Sequence, residues 1–350
     1  MSPLRVLARS ATQECIVVGS VNKAVYANLS TQTVKQVDLG FPGHAFIRHP
    51  KYPSRYLTTQ KWGANAAVVD FETETVMKID AGKENWFYGH GHYIEEKDAF
   101  YLARVSLETG KGYYAAYDPE TYKPGEAFQV TPGGLHDCHR MADKTLAIAS
   151  SGVRAEKYSD PNKGMRIAKS SIVFVDIAGK GNVVRELTID DPWQMIGHFQ
   201  VTKTGKIIAL TCPQKQLDNY NMRTADHNNS GYVYFSSDGK QSLKVMDWGH
   251  DLQTQIKGVI LSIALNDDHT RAAVTNPLVG NIVLLDVVNE KVLKSINAPF
   301  KGVVWDDSLK GYLGTDRQLV WISPDFDKMT RLPIESAAGF QNPHSIIETV

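Results

Sequence analysis

The sequence predicts an all-β fold: a seven-bladed β-propeller with four antiparallel strands per blade, occupying residues 1–350 as a single domain. Three observations carry this expectation. A strand–turn–strand unit recurs along the whole chain, helical periodicity is nearly absent, and a lone β-branched run closes the C-terminus. A twisted four-stranded sheet buries both its faces only against like neighbours, so a repeat of this kind closes into a ring.

The copies run in order from the N-terminus as AVYANLSTQTVKQVDLG, AAVVDFETETVMKIDAG, YYAAYDPETYKPGEAFQV, SIVFVDIAGKGNVVRELTI, GYVYFSSDGKQSLKVMDWG, NIVLLDVVNEKVLKSINA and LVWISPDFDKMTRLPI. Each is a β-branched and aromatic run, a turn built on Asp or another turn former, and a second run. Two further short runs precede each copy, such as AFIRHP with RYLTTQ and HFQVT with KIIALT, which completes four strands per unit. The N-terminal copy has CIVVGSV, AVYANLS and TVKQVDL but no innermost strand of its own. The C-terminal HSIIETV is expected to supply it and to tie both termini into one blade.

Composition narrows the function classes. Lys+Arg and Asp+Glu balance at 38 each, which argues against a broad electrostatic surface for nucleic acid or anionic lipid. No window approaches the roughly 18 uninterrupted apolar residues of a membrane-spanning helix, so no membrane insertion is expected. Cys15, Cys138 and Cys212 stand on separate segments without a CxxC spacing, which indicates neither a disulfide framework nor a zinc ribbon. The opening MSPLRVLARSATQE lacks the apolar stretch of a signal peptide. The expected compartment is therefore the periplasm if a leader was removed from this chain, and the cytoplasm otherwise.

Aligning the first strand of each unit puts His44, His90, His136, His198, Gly258, Gly302 and His344 at one equivalent position. Eleven histidines in 350 residues would place fewer than one among seven such positions by chance, whereas five are present, on consecutive units. The start of an innermost strand lies at the mouth of the channel, so these imidazoles are expected to face a common centre. Several neutral imidazoles with few carboxylates suit a transition metal rather than calcium or magnesium. His44, His90, His136, His198 and His344 are the expected ligands, and the donor set accepts iron, copper or zinc. Use of only three or four of them leaves positions for water, O2 or a substrate.

His92, two residues after His90, and His139, three after His136, are candidates for supporting the ligands. Trp86 and Trp193 precede their units' histidines and are candidate pocket walls. Two intervals between these aligned positions, 62 and 60 residues, exceed the 42 to 46 found elsewhere because of insertions at 153–169 and 213–229. Both fall between second and third strands, on the histidine side of the ring, and are expected to form a lid. Arg154, Arg166, Tyr220, Arg223 and His227 on them are candidates for receiving a small chelating or anionic ligand.

Signatures of other chemistry are missing: there is no GxSxG, P-loop or HExxH. Glu84, Asp137 and Asp306 lie near the same face, but spacing singles out none as acid or base. The segments PGHAFIRHP, WFYGHGHYIEEKDAFYLA, GGLHDCHRMADKTLAIASSGVR, IGHFQVTKTGKIIA and AAVTNP resemble a bacterial propeller family of unknown function. That family is usually exported by the twin-arginine route and often encoded beside imelysin-type iron-uptake proteins. The resemblance covers nearly the whole chain and implies iron as the first candidate metal and iron-uptake proteins as candidate partners. It carries over no catalytic residue. Three functions follow as expectations: a metal-binding propeller in periplasmic metal acquisition or redox handling, an interaction scaffold with structural histidines, and a histidine-ligated oxygenase or hydrolase.

Overall fold

The computed structural model describes residues 15–334, except 21, 30, 132, 156–162, 218–221, 238–240, 316 and 317. The described residues are all-β apart from a 3-10 turn at Glu95–Lys97 and the short helix His250–Gln255. No helix among the described residues is long and apolar enough to cross a membrane.

Six four-stranded antiparallel blades follow one another along the chain. From innermost to outermost strand, the first is Gly43–Arg48, Arg55–Gln60, Asn65–Asp70 and Thr75–Asp80, and the second Asn85–Ile94, Ala99–Ser106, Gly112–Tyr117 and Pro124–Thr131. The third is Leu135–Arg140, Leu146–Ser150, Ser171–Asp176 and Asn182–Thr188. The fourth is Gln194–Val201, Ile207–Leu217, Val233–Phe235 and Lys244–Val245. Ile263–Leu265 and Gly302–Asp306 begin the fifth and sixth.

The expectation of a seven-bladed ring with four strands in every blade is thereby corrected: the described residues form six blades, not seven. The N-terminal copy forms a three-stranded sheet of Cys15–Ser20, Lys23–Asn28 and Thr33–Asp38. Counting one blade per strand–turn–strand copy overcounts, because the turn signature marks the outer strands and says nothing of whether an inner strand is supplied. The C-terminal strand expected to complete this sheet, with His344, lies outside the described residues.

The core lies between blades. Leu57, Ala66 and Val68 of the first blade pack on Phe87, Phe100 and Leu102 of the second, and Ala147, Ile172 and Phe174 of the third on Phe199, Ile207 and Ala209 of the fourth. The three-stranded sheet packs on the first blade through Val37 and Phe46, and on the sixth through Val25, Ala27 and Leu313. Each fully buried Phe or Leu here contributes about 1.5–3 kcal/mol. Outer strands face solvent, and Lys291–Asn297 does so alternately, exposing Lys291, Leu293, Ser295 and Asn297. The Asp of the repeat acts locally, since Asp70, Asp118 and Asp286 each accept backbone N–H groups of the turn that follows.

Candidate metal centre

Four successive inner strands each deliver one histidine through a break in the ladder. Pairing slips between Gly43 and Ala45 around His44, between Phe87 and Gly91 around His90, between Leu135 and Cys138 around His136, and between Ile196 and His198. The inner strands of the fifth and sixth blades, which carry no histidine, pair without a slip. A bulge re-aims the side chain it contains, here toward the channel axis. Glycine precedes three of the four histidines, and at Gly89 the reason is steric. A Cβ there would lie 2.3 Å from the His136 carbonyl oxygen.

The rings form a contiguous cluster. Centroids are 5.2 Å apart for His44 and His90, 5.3 Å for His44 and His136, 5.2 Å for His90 and both His136 and His198, and 4.5 Å for His136 and His198. His44, His136 and His198 are buried and His90 is half-buried. One ring nitrogen from each of His44, His90 and His136 lies within 4.8 Å of the others.

Hydrogen bonds assign the nitrogens. His136 Nδ1 donates to the Gly197 carbonyl at 2.8 Å, so its Nε2 carries a lone pair, and that Nε2 lies 3.2 Å from His44 Nε2. His90 Nδ1 lies 3.2 Å from Asp137 Oδ1, while its Nε2 is buried without a hydrogen-bond partner among the described residues. Asp137 is itself held through both oxygens. Its Oδ1 also accepts from Cys138 N at 2.9 Å, and its Oδ2 accepts from Phe199 N at 3.1 Å and lies 3.4 Å from His139 Nε2.

Burial lowers His136 well below the usual imidazole range, with Lys61, His198 and His90 adding to it, and pushes His198 down to about 3. Burial works against the Asp137 charge, yet His139 and His90 hold its carboxyl well below the usual range. For His139, burial is likewise outweighed, by Asp137, and its pKa is raised. Lys61, in the turn after Arg55–Gln60, is pushed down to about 8 by burial. His136 and His198 are thus held as neutral donors, the form that ligates a metal.

A cavity of about 840 Å³ opens from the ring along the channel, with His90, His92, Asp137, His139 and His198 at one end and Arg48, Lys203 and Asp307, at the far ends of inner strands, at the other. His92 and His139 therefore share a chamber with two ring members, and burial pushes His92 down to about 4.

The insertions pair with each other beside the ring rather than lining this cavity. Val153–Ala155 pairs with Lys163–Arg166, which pairs with Met222–Ala225, which pairs with the end of Ile207–Leu217. Arg166 serves as a staple, its guanidinium donating to the carbonyls of Ser151 at 3.3 Å, Ala168 at 3.4 Å and Gln194 at 3.1 Å. Arg154 is half-buried opposite Met165, and His227 is exposed. Arg223 lies on Met222–Ala225, and Tyr220 falls outside the described residues. Trp193 is 43% exposed, and Trp86 is half-buried opposite Val105, so neither lines the cavity. Lys61 and the clamping role of Asp137 were not singled out by sequence. A Gly-His pair repeated at blade spacing, and the acid following His136, are the signals that point there.

A propeller whose inner strands converge histidines on its axis is the class that fold and site define. The model of the family described as "Protein of unknown function (DUF1513)" matches residues 37–313, and the chain belongs to that family. No functionally curated protein matches the sequence. Among solved structures, Kuenenia stuttgartiensis hydrazine synthase is similar with a TM-score of 0.63 at 13% identity, over 91% of this chain and 90% of that one. A protein from Lactobacillus plantarum is similar with a TM-score of 0.61 at 11% identity, over 94% and 98%. The Myceliophteria thermophila Cps50 (Swd1) β-propeller domain is similar with a TM-score of 0.56 at 10% identity, over 92% and 97%. At these identities the likeness is one of fold alone.

Proposed function

We propose that this protein binds one first-row transition metal ion at the histidine cluster, through Nε2 of His44, His90 and His136, with His198 beside them. The observation that carries the reading is the contrast with His49. That buried histidine has both nitrogens engaged, Nε2 with the Pro119 carbonyl at 3.0 Å and Nδ1 with the N–H groups of Lys51 and Tyr52, as a structural imidazole does. In the cluster, Nδ1 of His90 and His136 is fixed by Asp137 and Gly197, while Nε2 of His136 meets another imidazole and Nε2 of His90 meets no partner among the described residues. This is how a ligand histidine is held.

The 3.2 Å between His44 Nε2 and His136 Nε2 is close to the about 3.3 Å that separates two nitrogens on one tetrahedral zinc-like ion. In the metal-free chain a proton occupies that gap, and an ion replaces it. The His90 donor stands farther off, so binding draws its ring inward. Neutral imidazoles favour iron, copper or zinc over the oxygen-seeking cations, and iron is the ion we place first.

Titration of metal-free full-length protein with cobalt(II) tests the reading. One equivalent giving visible ligand-field bands and a raised melting temperature is expected, with both lost in the double variant His90→Ala, His136→Ala. Absence of binding, or binding unchanged in that variant, overturns it and leaves the histidines as structural staples between blades.

A further inference from the structure

The chamber below the ring opens to solvent. Its lining runs from His90 and His198 of the cluster to Lys203, Asp267 and Asp307, which are exposed and follow the far ends of inner strands. One continuous space of about 840 Å³ therefore joins the outside to two of the four ring histidines. A divalent ion with a shell of about six waters, at ~30 Å³ each, occupies roughly 180 Å³. It fits this space with its hydration intact.

The donors along the chamber are of the kind that handle a metal ion. His92 stands two residues beyond His90 on one strand, about 7 Å farther toward the far mouth at the ~3.3 Å rise of a strand. His139 acts electrostatically on His92, so the two imidazoles lie near each other, and both line the chamber. Asp137 ties this pair to the ring: its Oδ2 lies 3.4 Å from His139 Nε2 and its Oδ1 3.2 Å from His90 Nδ1. Imidazole nitrogen and carboxylate oxygen both bind first-row transition ions. Among the described residues, however, the one group of three or more such donors with its atoms within 4.8 Å of one another is His44, His90 and His136. Two imidazoles without a third donor so close hold an ion weakly, as a stage of transfer requires.

Charge distinguishes the two sides of the ring. Along the chamber, Asp137, Asp267 and Asp307 offset Arg48, Lys203 and a protonated His139, so the lining sets no net barrier to a cation. Both long cations are held to backbone carbonyls, Arg48 Nε donating to Pro53 at 3.3 Å and Lys203 Nζ to Asp267. At the mouth, Asp267 and Asp307 lie 3.0 and 3.9 Å from Lys310 Nζ, in pairs exposed enough to contribute little and to be screened by salt. On the insertion side, Lys61 follows Gln60, which pairs with Gly43 at the start of an inner strand, and its charge acts on His136 and His198. A cation approaching from there meets an ammonium group. One approaching along the chamber meets carboxylates and imidazoles.

We propose that the chamber is the path by which a hydrated divalent metal ion reaches the cluster from the far mouth, with His92 and His139 as the stage at which it exchanges water for imidazole before entering the ring. This rests on the metal-binding reading above. Gln200 and Val304 line the chamber on two different blades. Changes there obstruct the path without altering a ring histidine.

The test follows the rate at which metal-free full-length protein takes up cobalt(II), read by the growth of its visible bands after mixing. The double variant Gln200→Trp, Val304→Trp fills space in the chamber, and Val304→Lys places a cation in it. Uptake at least tenfold slower than in the parent is expected in each, with the final bands and cobalt(II) stoichiometry unchanged. His92→Ala is expected to slow uptake at least threefold, and Val304→Ala, which fills nothing, to keep the parent rate. Undiminished uptake in whichever obstructed variants fold, or equal slowing in Val304→Ala, overturns the path. Undiminished uptake in His92→Ala overturns the stage assigned to it. Failure of the parent protein to bind cobalt(II) at all removes the metal reading, whereas binding at an undiminished rate in the obstructed variants removes this inference alone.

Discussion

Replacing Asp137 by asparagine keeps the shape of the side chain and removes what the site uses. Each carboxylate oxygen accepts a backbone N–H, Oδ1 from Cys138 at 2.9 Å and Oδ2 from Phe199 at 3.1 Å, and each also faces an imidazole nitrogen. An amide offers one oxygen, so in either orientation its NH2 group meets a backbone donor head-on. One buried donor left unsatisfied costs about 1–3 kcal/mol. His90 loses the carboxylate that fixes its Nδ1 proton, and removal of such support typically weakens metal binding about 10–100-fold. Equilibrium urea denaturation of metal-free Asp137→Asn measures the first loss and cobalt(II) titration the second. A variant whose stability stays within ~0.5 kcal/mol of the parent, with unchanged cobalt(II) affinity, would refute the assigned role of Asp137 as clamp and orienting group.

Three further outcomes follow from the same contacts. Gly89→Ala pushes a Cβ to 2.3 Å from the His136 carbonyl oxygen, and is expected to lose about 1–3 kcal/mol by overpacking, measured by thermal melting; a neutral result would show that the two inner strands can separate freely. Arg166→Met removes three hydrogen bonds to backbone carbonyls and is expected to speed amide exchange in Val153–Ala155 and Lys163–Arg166 with cobalt(II) affinity unchanged. Burial opposes the Asp70 charge, but Arg55 at 2.9 Å and turn N–H groups hold its pKa below the usual value. Its folded pKa being the lower one, its contribution is present above about pH 4 and is lost as pH falls through the folded value. Asp70→Asn is therefore expected to be less stable than the parent at pH 7, with the difference closing in acid denaturation profiles below about pH 4.

Much of the fold was legible because the β repeat is redundant. The Asp that ends or directly follows the third strand and caps the following turn recurs at Asp70, Asp118 and Asp286, each after a run that is buried almost throughout. Blade number was overcounted, since the N-terminal copy has the same outer strands as the others while its described residues form a sheet of three strands. The convergence of His44, His90, His136 and His198 followed from register alone. The bulges that aim them did not, because a slip in pairing depends on both strands and leaves only the preceding glycine as a trace. The polar insertions drew attention to the loop side of the ring, where Arg166 turns out to bond backbone. The chamber lies on the other side, walled by residues as plain as Ser262 and Val304, and no local motif marks it.

The most direct test of the central claim is the metal content of the protein purified from its native cell without chelators, measured beside the His90→Ala, His136→Ala variant. Close to one equivalent of iron, copper or zinc in the parent, and none in a folded variant, is the expected result. A parent protein that carries no transition metal and takes up none on addition contradicts the claim.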